Sequence, residues 1–145
     1  MKLRESTLLV LGSLVLASGC AVRPRTGATV SGELKQWHNV VLTFEGTPLS
    51  ENGQVNPFLD CRLNVTFTQG DRRYVVPGYF AADGNAGQTG AQAGGQWRAH
   101  FLPPKPGEWA YAASFRYGPD VALDPNATAG QAASFDGASG SFVVG

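Results

Sequence analysis

From Val40 onward, apolar and polar residues alternate with a period of two in one segment after another. Val40, Leu42 and Phe44 alternate with Val41, Thr43 and Glu45. Leu59, Cys61, Leu63, Val65 and Phe67 alternate with Asp60, Arg62, Asn64, Thr66 and Thr68, which is the pattern of a half-buried strand. Tyr74 to Phe80 is a further strand candidate, in which Pro77 marks an edge or a bulge because it has no N–H for a ladder. Trp97, Ala99 and Phe101 alternate with Arg98 and His100, and Trp109, Tyr111, Ala113, Phe115 and Tyr117 with Ala110, Ala112, Ser114 and Arg116. Ser141 to Val144 makes a short last strand, and His38 follows Trp37 in what reads as the first. Trp97, Trp109 and Phe115 fall on the core side of this rhythm.

Turn chemistry separates the strands at Gln69-Gly70-Asp71, Pro103 to Gly107, Gly118-Pro119-Asp120 and Asp136-Gly137. Beyond the N-terminus no segment carries a helical apolar stripe of useful length. The pattern predicts an all-β fold, an immunoglobulin-like antiparallel β-sandwich of about seven to eight strands. Gly107 stands two residues before Trp109, a spacing that resembles the corner opening the penultimate strand of such sandwiches. Residues 81–96, rich in Gly, Ala and Gln, read as one long loop, and a structureless loop of that length is usually functional or mobile.

The N-terminus follows a different pattern. Lys2 and Arg4 precede an apolar run from Leu8 to Leu16, and Ala17, Ser18 and Gly19 lead into Cys20. A basic start, a short apolar middle and a small-residue cleavage site make a secretory signal. The run is too short to span a bilayer, which takes roughly 20 apolar residues. A cysteine directly after the small residues resembles a bacterial lipobox, with Ala17 where Leu is more usual. The expected organisation is a helical signal peptide at 1–19, a lipidated Cys20 with a flexible tether through residue 31, and a β-sandwich at 32–145. Cys20 would then anchor the protein to a membrane of the bacterial cell envelope, and Ala21 after it points to the outer membrane or cell surface. Several acyl chains would make that anchor stable, since one chain alone binds marginally.

The full chain is formally neutral. Loss of Lys2, Arg4 and Glu5 with the signal peptide leaves one more acid than base, without a run of like charge. That balance excludes a nucleic-acid partner, which calls for a basic stripe. Two cysteines are present. With Cys20 committed to lipid, Cys61 reads as a small buried hydrophobe. No group of Cys and His stands at metal spacing.

The chain offers little for catalysis. Glycoside hydrolysis takes two carboxylates facing each other across a bond, and the acids here fall in turns or on polar strand faces. His38 and His100 are the candidates for a general base, without a nucleophile in a recognisable setting. No catalytic residue, metal site or cofactor is expected. Asp83 and Asn85 could bind a ligand by offering oxygens to a hard cation, but two such groups are too few for a metal site, and turn formation is the favoured role. Trp37 and Tyr79 are the rings to test for stacking on a sugar face, with residues 81–96 as a rim; packing in the core or at a domain interface is the alternative.

Glu33-Leu34-Lys35-Gln36-Trp37-His38, Asn56 to Asp60, Val76 to Ala86, Trp97 to Phe101, Gly107-Glu108-Trp109, Ser114-Phe115-Arg116 and Phe135 to Phe142 occur in that order. Together these blocks resemble the family known as domain of unknown function 5060. Cys61 departs from it, standing where an aromatic is more usual. The resemblance implies an immunoglobulin-like sandwich at the N-terminus of larger exported proteins. A glycoside-hydrolase-like barrel follows the sandwich there, sometimes labelled collagenase or collagen-binding. It assigns no catalytic residue to the sandwich. The expected function is thus a non-catalytic accessory domain, a spacer or carbohydrate binder, in a surface lipoprotein of polysaccharide degradation. On this reading the chain is a fragment without its hydrolase domain. The alternative is an adhesion module for a host or matrix protein such as collagen.

Overall fold

Each period-two segment forms a strand with one face buried, because alternate side chains point to opposite sides of a sheet. The computed structural model describes residues 27–145. The expected signal peptide, Cys20 and the tether up to residue 26 lie outside the described residues. Among the described residues nine strands occur: β1 (Thr29–Gly32), β2 (Val40–Ser50), β3 (Cys61–Gln69), β4 (Arg72–Pro77), β5 (Tyr79–Ala82), β6 (Ala93–Phe101), β7 (Gly107–Tyr117), β8 (Gln131–Ala132) and β9 (Ser139–Val144). They form two antiparallel sheets. One has the order β1-β2-β6-β5; the other has β4-β3-β7-β8, with β9 also on β7.

The core lies between the sheets and is dominated by aromatic rings. Phe67 stacks on Phe101 with centroids 4.1 Å apart, and Phe44 on Phe135 at 4.9 Å. Trp97 meets Phe115 edge-on at 4.8 Å, and Trp109 meets Phe101 edge-on at 5.0 Å. Such pairs add about 0.5–1.5 kcal/mol each beyond the area they bury. The corner before β7 is closed by the Trp109 indole, whose Nε1–H donates to the Lys105 carbonyl at 2.9 Å. The Tyr111 hydroxyl accepts from the Ala28 N–H at 2.9 Å and so ties the start of the sandwich to β7.

The fold departs from the sequence expectations at five places. Residues 29–31, expected within the tether, join Gly32 in β1 and pair with β2 at Val40 to Thr43. Trp37 and His38 sit in a turn, not a strand: Trp37 N–H donates to Pro103 O at 2.9 Å and His38 N–H to Lys35 O at 3.1 Å. Leu59 precedes β3 and is exposed. There the Asp60 carboxylate accepts from Asn56 N–H at 2.9 Å and Asp120 N–H at 3.1 Å, which holds residues 56–60 in a turn. The run from Tyr74 to Phe80 splits into β4 and β5, which belong to different sheets. Residues 81–96 are not one loop: they hold the end of β5, a four-residue helix α1 (Ala86–Thr89) and the start of β6.

Candidate functional site

The split between β4 and β5 shapes the surface around Tyr79. A Cβ on Gly78 would lie 2.3 Å from Leu63 Cδ2 and 2.8 Å from the Arg98 carbonyl, so only glycine fits at the crossover. Gly78 N–H donates to Leu63 O at 2.8 Å as the chain leaves β4 for β5. Tyr79 then faces outward and Phe80 inward, the two opposite Arg98 and Trp97 of β6. A bulge follows, with Ala82 at φ +50°. It buries Phe80, Ala81 and Ala82 in succession and turns the chain out into the Asp83-Gly84 bend.

Tyr79 is 45% exposed, and its ring lies nearly parallel to His100, with centroids 5.7 Å apart. The Tyr79 hydroxyl is 3.0 Å from His100 Nε2, and the Asn39 amide is 3.0 Å from His100 Nδ1. One imidazole proton satisfies this row in either tautomer, since each neighbour can donate or accept. Asn39, His100 and Tyr79 thus form one hydrogen-bonded line on the outer face of the first sheet.

On its other side Tyr79 borders a cleft of about 360 Å³ between β5, β6 and α1, lined also by Gly84, Asn85, Gln88 and Arg98. Asn85 Nδ2–H donates to Gln88 Oε1 at 3.2 Å. Asp83 stands behind this wall. One carboxylate oxygen accepts from Asn85 N–H at 2.8 Å and the other from the Thr89 hydroxyl at 2.7 Å. Those two hydrogen bonds, the backbone one first, hold the Asp83 carboxyl below its usual range. Asp83 therefore shapes the turn, while Asn85 faces the cleft.

Trp37 stands apart from this cleft. It is 63% exposed and adopts φ +63°, a left-handed conformation that is strained for a bulky side chain. In the same turn Glu33 meets Lys35 Nζ at 2.9 Å and His38 Nδ1 at 3.5 Å. Residue type singles out Tyr79, Asp83 and Asn85, which the fold gathers around β5 and α1, and Trp37, which it does not place in the cleft. Asn39, Arg98 and Gln88 carry no such signal by residue type, and His100 reads only as a candidate base. The available signal was parity: Arg98 and His100 share the polar phase of β6, hence one face.

A family model, Domain of unknown function (DUF5060), matches residues 33–116. The chain belongs to this family. The DUF5060 match covers β2 to β6, β7 up to Arg116 and the Tyr79 cleft, and β1, β8 and β9 lie outside it. No curated protein matches the chain. Among solved structures, the DUF5060 chain is similar to the crystal structure of "a putative glycoside hydrolase from Bacteroides vulgatus ATCC 8482", at 24% identity and a TM-score of 0.49. That similarity covers 76% of this chain and 15% of the other protein's length.

Proposed function

We propose that this chain is a non-catalytic accessory module that binds polysaccharide at the Tyr79 cleft beside a glycoside hydrolase domain. The observation that carries the reading is the composition of the cleft. Its lining brings together an exposed aromatic ring, an arginine and two carboxamides, with no carboxylate among the lining residues. Hydrolysis of a glycosidic bond takes a carboxylate pair. A ring beside hydrogen-bonding groups suits binding, because the apolar face of a pyranose packs on the ring while the amides meet its hydroxyls. Membership of DUF5060 supports the same reading. In this proposal the lipid on Cys20 holds the module at the bacterial outer membrane or cell surface.

Affinity electrophoresis through gels containing plant and microbial polysaccharides tests the reading. Wild-type protein should be retarded by at least one of them, and Tyr79→Ala should migrate as in a blank gel. Retardation by collagen and by no polysaccharide would favour adhesion; retardation by nothing would leave a spacer. For the anchor, Cys20→Ser should abolish labelling by radioactive palmitate and release the protein from the membrane fraction.

A further inference from the structure

Arg98 is the unusual member of the cleft. Its side chain makes no hydrogen bond and no ion pair with any described residue. Nε is shut away from solvent without a partner. Arg98 stands in register between Thr43 of β2 and Tyr79 of β5, and Arg98 and Tyr79 line the same cleft. Asp83 is near enough for the Arg98 charge to help lower its carboxyl, yet the two form no ion pair, and the Asp83 oxygens accept from Asn85 and Thr89. Glu45 is exposed one rung further along, opposite Gln96. A Cβ added to Gly84 would lie 3.0 Å from Arg98 Nη2, so the guanidinium tip lies on the Gly84 side of the cleft, with the Gln96 side chain beside it.

An arginine held in a cleft without a carboxylate partner is a receptor for an anion from outside. Its terminal nitrogens form a planar fork that matches the two oxygens of a carboxylate. Asn85 and Gln88 bond each other through one amide atom apiece, which leaves Asn85 Oδ1 as an acceptor and Gln88 Nε2 as a donor. With the Tyr79 ring, these groups match one sugar residue that bears a carboxylate: a face to stack on, hydroxyls to bind and an anion to clamp. Resting on the polysaccharide reading above, we infer that the cleft selects acidic glycans, with Arg98 gripping the carboxylate of a uronic acid unit stacked on Tyr79.

The experiment compares polygalacturonate with its fully methyl-esterified form in the same gels, using the whole chain without its signal peptide. The two polymers share sugar and linkage and differ in the free carboxylate. Wild-type protein should be retarded by polygalacturonate and about tenfold less by the ester. Arg98→Gln should lose that preference, and Arg98→Lys should recover part of it as a point charge without the fork. Arg73→Gln, on the other sheet, should change nothing. Equal retardation by polygalacturonate and the ester, or full retardation of Arg98→Gln, overturns the inference and leaves polysaccharide binding standing. Equal retardation by dextran sulfate, undiminished in Tyr79→Ala, also overturns it, as general attraction to polyanions. Retardation by no glycan of either kind overturns both readings. Should Arg98→Gln fail to fold, the ester comparison on wild-type protein still decides.

Discussion

Arg62 and Arg116 stand directly opposite each other on β3 and β7, and neither forms an ion pair with any described residue. Like charges so placed destabilise a sheet. Here both side chains turn instead onto the carbonyls of residues 121–130. Arg62 donates to Val121 O at 3.0 Å, Asp124 O at 2.6 Å, Asn126 O at 2.9 Å and Ala127 O at 3.1 Å. Arg116 donates to Thr128 O at 2.9 Å, Ala129 O at 3.2 Å and Gly130 O at 2.5 Å. Seven carbonyls of one loop converge on two guanidinium groups, so this segment is held without a strand of its own.

Replacing Arg62 should therefore loosen the loop. Arg62→Lys keeps the charge but cannot reach four carbonyls with one ammonium group. Hydrogen bonds to charged donors contribute about 1.5–3 kcal/mol, so we expect Arg62→Lys to lose about 2–3 kcal/mol in urea unfolding. Amide exchange should quicken across residues 121–130. Unchanged stability with unchanged protection of the loop would contradict the carbonyl clamp.

Gly78 is the pivot on which Tyr79 turns outward. Gly78→Ala forces a methyl group onto Leu63 and the Arg98 carbonyl and should cost about 1–3 kcal/mol as overpacking. It should also weaken glycan retardation, because Tyr79 and Arg98 move with it. Gly87 in α1 is the matched control: nothing lies within 4 Å of its added Cβ. Gly87→Ala should be neutral or stabilise by up to about 1 kcal/mol. Equal losses for both substitutions would show that the crossover is not tightly fitted.

The sandwich was legible because burial on one face writes a period of two into the sequence, as in Val40-Leu42-Phe44 and Trp109-Tyr111-Ala113-Phe115. The change of sheet at Pro77-Gly78 was not, since Tyr74, Val76 and Phe80 keep one inward parity straight through it. Thr29 to Gly32 carries no such signature because it is a short edge strand with one part-buried apolar residue, Val30. Tyr79, Asp83 and Asn85 stood out by residue type. Their grouping with Arg98 and His100 depends on β5 pairing with β6, a relation between segments that no local pattern encodes.

Asp83 should titrate abnormally low. Its folded pKa lies below 3.8, first through the Asn85 N–H and then through the Thr89 hydroxyl. A depressed carboxyl stabilises the folded loop above the unfolded pKa, and that contribution disappears as pH falls through the folded value. Carboxyl-carbon NMR titration should place Asp83 below 3.8. Thr89→Val should bring it part of the way back, since the backbone donor remains. A midpoint at or above the ordinary value in wild-type protein would refute the hydrogen-bonded turn.

Cys61 lies in the core at 5% exposure, and burial, reinforced by nearby Asp60, pushes its thiol up to about 11 from an ordinary 9.0. The sign is opposite to that of Asp83. Here the folded state holds the proton more tightly, so the stabilisation is complete below 9.0 and fades as pH rises toward about 11. Two measurements follow from this. At about pH 8 the folded chain should hold roughly a hundredfold less thiolate than the unfolded chain, because two pKa units separate them. Reaction with a charged disulfide reagent should then track unfolding and accelerate steeply in urea. Cys61→Val keeps a small apolar group in the core and removes the titration, so its stability should be flatter than wild type across this alkaline window. Rapid labelling of the native thiol at the unfolded rate, or the same alkaline loss in Cys61→Val, would mean that the thiol is not sealed between the sheets.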